Sequence, residues 1–265
     1  MKITALILTY NEAKRIRIAV SHALKWADEV CVVDKSSTDG TREIAEELGA
    51  VVHTIPFSRQ GHENVADLVK FAANDWIWGF TPGEVPTRKL VELAKAKVSD
   101  DVDCILIPHR IYSFGDHSQF SPWGISGQPR LIHRKRVRFT GLAHAPIRAI
   151  RTSHVPYADD CYVLHQTHAT STAFMASHMD YAANEVMNGA PVEVMEKAMK
   201  NYVEQDELFS VDPAMKAQWL AWKIYWLMVA LQSIEADRSR DILNEYATRA
   251  QTMIAAEWDI DAQDN

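Results

Sequence analysis

Up to about residue 108, apolar β-branched runs alternate with segments whose apolar positions recur at helical spacing. Ile3-Thr4-Ala5-Leu6-Ile7-Leu8 and Val30-Cys31-Val32-Val33 are continuous enough to be strands buried on both faces, as in a parallel sheet. The pattern predicts strands at 2–8, 29–33, 50–54, 75–80 and 103–108, separated by helices at 13–25, 39–48, 62–73 and 87–98. Ile16, Val20 and Ala23 give the first helix one apolar face. Thr38 or Asp39 is placed to cap the second helix, and Gly49 to end it in a left-handed turn. Repeated strand–helix units imply right-handed crossovers, with helices on both faces of the sheet.

The pattern then changes. Residues 109–168 carry Gly, Pro and aromatic residues between short strand-like pieces, as an irregular pocket-building region does. From 171 onward the chain reads as helical. Ser171 caps a helix running to Asn188-Gly189, Pro191 opens another, and Asp212-Pro213 starts a third. In that third helix Met215, Trp219, Trp222, Trp226 and Val229 form one stripe, with Leu220, Ile224, Leu227 and Leu231 beside it. So wide an apolar face is expected to pack on the first domain, or to serve as a homodimer seam or peripheral membrane contact through 213–231. The expected architecture is α/β, with a mainly parallel sheet domain over 1–168 and a helical appendage over 169–265.

The first two strands each run into a polar loop, Thr9-Tyr10-Asn11-Glu12 and Asp34-Lys35-Ser36-Ser37-Thr38-Asp39-Gly40-Thr41. Ligands of open parallel sheets sit outside the carboxyl ends of the strands, where both loops fall. A carboxylate at Asp34 has no packing purpose there and reads as a ligand contact. Asp39-Gly40-Thr41 also reads as a helix cap and turn.

Composition narrows the partners. A net charge of -7 over 265 residues argues against a nucleic-acid partner, which is held by basic side chains. The three cysteines, Cys31, Cys104 and Cys161, show no metal-ligand spacing and suit a reducing compartment. No signal peptide opens the chain and no apolar run reaches the ~20 residues that span a bilayer, so a cytoplasmic location is expected, extending to the inner face of the membrane.

Several of these pieces together resemble the family 2 glycosyltransferases of GT-A fold, especially those that build lipopolysaccharide core and related surface glycans. They are Thr9-Tyr10-Asn11-Glu12, Trp26-Ala27-Asp28-Glu29-Val30 leading into Val32-Val33-Asp34, and Ser37-Thr38-Asp39-Gly40-Thr41. Gly49-Ala50, Pro56-Phe57 and Asp75-Trp76-Ile77 continue the match, with a fainter echo in Arg130-Leu131-Ile132, Phe139, His144, and His165 ahead of Tyr181. The resemblance implies transfer of a sugar from a nucleoside diphosphate, a uridine one, to a hydroxyl of a glycan or glycolipid acceptor, with inversion at the anomeric carbon. By position it places Thr9, Tyr10, Glu12 and Asp34 against the nucleoside. Asp39 lies near the nucleotide or braces its loop, and Thr81 falls beside the diphosphate.

The departures from the family pattern are specific. Where the family carries an Asp-x-Asp that holds a divalent cation, this chain reads Phe80-Thr81-Pro82-Gly83-Glu84. Thr81 and Gly83 cannot supply the anionic oxygens that magnesium or manganese needs. The carboxylate expected after His144 is Ala145. Two explanations follow. In one, a transferase without the usual cation neutralises the leaving diphosphate with Arg130 or the run His133-Arg134-Lys135-Arg136-Val137-Arg138, uses Glu84 as the acid near the sugar, and uses His144 as general base. In the other, catalysis is lost and a nucleotide-sugar-binding or assembly protein remains. Glu84, His165 and His168 are the candidates for a replacement metal site; His109 carries no motif. Trp123 offers a ring for a sugar face or plugs the core, and 114–128 resembles an acceptor loop.

Overall fold

The computed structural model describes residues 1–58, 65–113, 116–117, 125–140, 146–167 and 241–258, together with 169, 173 and 176. Backbone contacts divide the chain into two units, Met1–Ala169 with Asp241–Asn265, and Thr170–Arg240. Within the second unit only 173 and 176 are described, so the tryptophan-rich segment 213–231 lies outside the described residues.

The first unit opens as the hydrophobic pattern predicts: β1 (Ile3–Thr9), α1 (Ala13–Ala23), β2 (Glu29–Asp34), α2 (Thr41–Glu47) and β3 (Val51–Thr54). A short α3 (Val65–Leu68) continues as a 3-10 turn, Val69–Phe71, in place of the longer helix expected over 62–73, whose first residues are not described. Next come β4 (Trp76–Phe80), β5 (Glu84–Pro86) and α4 (Arg88–Ala96), capped by Thr87, whose hydroxyl accepts from the Leu90 amide. Gly49 is left-handed at φ 91°, as its position after α2 predicted. The order β3-β2-β1-β4 is wholly parallel.

Beyond β4 the sheet is more regular than the sequence indicated. β6 (Cys104–Ser113) runs on through the region expected to be irregular, and β7 (Asp116–His117), β8 (Ile125–His133), β9 (Arg138–Phe139), β10 (Ile147–Arg148), β11 (Thr152–His154) and β12 (Val163–Gln166) follow. β8 inserts antiparallel between β4 and β6, giving the order β3-β2-β1-β4-β8-β6-β12-β5 in one mixed sheet. Its Gly127 and Pro129 hide it from a propensity reading. The register shifts between Ile105 and Leu106, opposite Leu131 and Pro129, and such an irregularity tolerates proline. β5, by contrast, is an edge strand, and it ends on Pro86.

The carboxyl-terminal helix, α5 (Ile242–Trp258), belongs to the first unit. The appendage expected over 169–265 is therefore not one piece. Tyr246, Ala250 and Ile254 bury an apolar stripe against Val85 and Leu164, and the Tyr246 hydroxyl donates to the Pro82 carbonyl at 3.1 Å. Spacing of four residues puts these three side chains on one face, which is the physical reason the helix docks.

The main core lies between β1, β2, β4 and the helices, centred on Trp26, Trp78 and Phe80, whose rings meet at 5.0–5.6 Å. His22 is buried beside them, its Nδ1 accepting from the Trp26 indole at 3.3 Å. Burial, with Lys25 adding to it, lowers its pKa to about 3. The unfolded chain takes that proton near the ordinary 6.5, whereas the folded chain refuses it until about 3. Stability is thus full above about pH 6.5 and falls as pH drops towards about 3. Denaturant unfolding across this window should show His22→Phe with a shallower acid slope, by up to one proton; an unchanged slope would show that His22 does not titrate in this way.

Candidate active site

Parallel register sets Thr9 directly beside Asp34, so the loops after β1 and β2 meet at the carboxyl edge of the sheet. Asp34 is fully buried, and its two oxygens accept from the Ser37 amide at 2.9 Å and from the Ser37 hydroxyl. Ser37 Oγ in turn accepts from the Asn11 amide at 2.8 Å, and Asn11 Oδ1 accepts from the Thr38 amide at 2.9 Å. Asn11 adopts φ 52°, a left-handed conformation that asparagine tolerates. Thr9 is buried, and its hydroxyl makes no hydrogen bond among the described residues.

Asp39 ties the two helices together. Its Oδ2 accepts from the Ala13 amide at 3.0 Å and its Oδ1 from the Thr41 amide at 3.1 Å, at the amino ends of α1 and α2. A carboxylate is stabilised there by the helix dipoles. Burial pushes its pKa up, but the Thr41 hydroxyl and the backbone donors hold it below the ordinary carboxylate value. Of the two roles read from sequence, the structure displays the brace.

Tyr10 and Phe57 present two solvent-facing rings 4.3 Å apart at this edge, with Lys35 Nζ 5.4 Å above Phe57. Glu12 makes a two-pronged ion pair with Arg15, one bond at 2.6 Å, and Arg15 Nη1 reaches the Gln166 carbonyl at 3.4 Å. α1 thereby links the loop after β1 to the end of β12.

The second half of the site is the turn from Thr81 to Glu84. The Glu84 amide donates to the Thr81 carbonyl at 3.0 Å, and the Thr81 amide donates back to Glu84 Oε2 at 2.6 Å. Gly83 is required by close approach: a Cβ there would lie 2.5 Å from the Gln166 carbonyl oxygen and 2.9 Å from Arg15 Nη1. Gly83→Ala should destabilise the fold by about 1–3 kcal/mol, since the Gln166 oxygen is a backbone atom of a residue whose amide donates to the Gly83 carbonyl at 2.9 Å, and it cannot give way cheaply. Chemical denaturation would measure this, and a loss near zero would show that the turn is free to shift.

Glu84 Oε1 is the focus of the turn. Arg130 Nη2 donates to it at 3.0 Å, His165 Nδ1 lies at 3.3 Å and His109 Nε2 at 3.5 Å. The Glu84 side chain is fully covered, so it orients its neighbours and does not itself present an acid to a sugar. Burial pushes its pKa up, but Arg130, His165 and His109 outweigh that and hold it well below the usual carboxylate range. Burial lowers His165 to about 3. Arg130 Nε also donates to Gln128 Oε1 at 2.9 Å, and a quarter of the Arg130 side chain is exposed.

Sequence reasoning missed His109. Its only signal was alternation: Ile105, Ile107, His109 and Ile111 share one buried face of β6, and an imidazole interrupts it. Arg15, Gln128 and Tyr246 carried no motif at all. The basic run 133–138 takes no part in the site. His133 pairs with Trp76 at the amino end of β4, Arg134 and Lys135 pair with Asp75, and Arg136 binds the carbonyls of Ser99, Asp100 and Val102. Those cations brace the opposite end of the sheet. His144, His168 and Trp123 lie outside the described residues.

The donor set decides which cation these residues fit. Thr81, Pro82 and Gly83 supply no anionic side-chain oxygen, leaving one carboxylate and the imidazoles around it. Magnesium, which wants an all-oxygen octahedron, does not fit; a borderline ion does.

The sequence model of Glycosyl transferase family 2 matches residues 4–152. The chain belongs to this family. The matched span runs from β1 to the start of β11 and so includes Asp34, Glu84, His109 and Arg130. The chain is 38% identical over 109 residues to an uncharacterized glycosyltransferase of Rickettsia felis, covering 41% of this chain and 35% of the relative. It is 42% identical over 90 residues to one of Rickettsia bellii, covering 34% and 30%. The chain thus spans about a third of the length of these relatives. In fold it is similar to a mycobacterial protein of known crystal structure, with TM-score 0.50 and 15% identity over 72% of this chain and 75% of that one. The GT-A α/β fold is the one expected from sequence.

Proposed function

We propose that the family 2 domain transfers a sugar from a uridine diphosphate donor to the hydroxyl of a glycan or glycolipid acceptor, inverting the anomeric centre. The observation that carries this is Arg130. A guanidinium anchored on a buried carboxylate, yet a quarter exposed, stands beside the turn where the family places its diphosphate. Among the described residues Arg130 Nη1 donates to nothing, which leaves it for phosphate oxygens.

In this reading Asp34 holds the nucleoside while Thr9 and Tyr10 line it, and Glu12 acts through Arg15 to fix the neighbouring loop. The acceptor oxygen forms its bond to the anomeric carbon as the carbon–oxygen bond to the diphosphate breaks, and His144 takes the hydroxyl proton. Arg130 stabilises the negative charge that develops on the departing diphosphate, with Glu84 fixing its position. A divalent cation held at Glu84, when bound, would neutralise the same charge. The likeness to makers of lipopolysaccharide core supports a surface-glycan acceptor. Among the described residues no helix is long and apolar enough to cross a membrane.

The test is donor turnover followed by product analysis. Release of nucleoside diphosphate with an inverted glycoside supports the transferase. Saturable donor binding without turnover establishes the non-catalytic alternative, which the replacement of both family aspartates at Thr81 and Gly83 favours.

A further inference from the structure

We infer that Glu84, His109 and His165 form a tetrahedral site for one borderline divalent cation, best filled by zinc(II) and not by magnesium. The three ligand atoms, Glu84 Oε1, His109 Nε2 and His165 Nδ1, lie within 4.8 Å of one another. From Oε1 to the two nitrogens the distances are 3.3 and 3.5 Å. The edge of a tetrahedron built on bonds of ~2.0–2.1 Å is about 3.3 Å. Both distances are longer than a good N–H···O hydrogen bond.

The orientation of the rings points the same way. His109 Nδ1 lies 2.9 Å from the Ile107 carbonyl oxygen, which can only accept, so Nδ1 carries the hydrogen. Nε2 is then the ring nitrogen left to face the carboxylate, 3.5 Å from Glu84 Oε1. A backbone carbonyl on the far ring nitrogen is also how metal-binding histidines are usually oriented. His165 Nδ1 is buried and makes no hydrogen bond among the described residues.

The scaffold is rigid. The ligands come from three strands in register: Glu84 of β5 faces His165 of β12, which faces Ile111 of β6, two residues beyond His109. Imidazole nitrogens with one carboxylate select zinc over magnesium. Arg130, 3.0 Å from the same oxygen, opposes a cation by like charge, so the fourth ligand is an anion, for which a phosphate oxygen fits. The site differs from the family's own, whose ligands would stand at Thr81 and Gly83. It rests on geometry alone and does not depend on the transferase reading.

The test uses the full chain stripped by a chelator and titrated with cobalt(II), zinc(II) and magnesium(II), by calorimetry and by the visible bands of tetrahedral cobalt. One equivalent of cobalt or zinc should bind, cobalt with strong visible absorption and zinc by its heat, with no heat from magnesium. His109→Ala and His165→Ala should each weaken binding by about 100-fold or more, above the 10–100-fold typical of losing a supporting partner. His53→Ala, which sits on Phe71 away from the site, should bind as the parent does. Absence of stoichiometric binding would overturn the site, as would unchanged affinity in a folded His109→Ala protein. Transfer is not the readout, so a failure here is distinct from a failure of donor turnover.

Discussion

Arg130→Met should lower the transfer rate by about 100- to 1,000-fold, the range seen when one preorganised donor to a developing anion is removed. It should also destabilise the fold by about 3–5 kcal/mol, because Glu84 is left as a buried charge without its strongest partner. Only a quarter of the Arg130 side chain is exposed and none of Glu84, so solvent screening reduces these effects little. The double variant Glu84→Gln/Arg130→Met should recover most of the stability and none of the rate, since it removes the stranded charge but not the need for a cation. The pH dependence has a definite sign. In the parent Glu84 is held below its ordinary value of 4.5, so its contribution is complete above that value and is lost only in stronger acid. In Arg130→Met burial dominates and pushes the carboxyl up, so the variant's deficit is largest near neutral pH and shrinks as pH falls. Denaturant unfolding and steady-state rates together decide the matter; a fully active, fully stable Arg130→Met would remove Arg130 from the mechanism.

The parallel half of the fold was legible because its information is local. Unbroken β-branched runs at β1 and β2, helical spacing at Ile16, Val20 and Ala23, and Gly49 at a helix end are all decided within a few residues. β8 was not legible, because Gly127 and Pro129 argue against a strand and only the shifted register opposite Leu106 reconciles them. The same division holds at the site. Asp34 could be picked out from its place at a strand's carboxyl end, and Glu84 from its place in the stretch that resembles the family's Asp-x-Asp segment. His109 joins Glu84 only because β12 pairs with β5 on one edge and β6 on the other, a fact about sheet order. Arg15 is further still from any local signal: its role depends on the approach of Gln166, 151 residues away. The placement of α5 is a third such case, since an amphipathic stripe announces that a helix will be buried but not which surface it will cover.

Asp34 is where brace and ligand contact must be separated. Asp34→Ala should weaken binding of a uridine diphosphate sugar by about 100-fold or more, roughly 2.8 kcal/mol at tenfold per 1.4. Part of that loss would come from the loop, because the carboxylate anchors Ser37, and Ser37 anchors the Asn11 amide. Ser37→Ala removes that anchor while leaving the carboxylate, and a neutral hydrogen bond contributes about 1 kcal/mol, so its effect on binding should stay near or below tenfold. Asp34→Asn keeps the shape but replaces one acceptor oxygen with an NH2 group, and should fall on the Asp34→Ala side if the charge itself meets the nucleoside. Calorimetric titration of the three variants with donor resolves the two roles. Equal, small losses in Asp34→Asn and Ser37→Ala would make Asp34 a structural brace and leave the nucleoside to the rings of Tyr10 and Phe57. A loss confined to the Asp34 variants would place the carboxylate against the ligand.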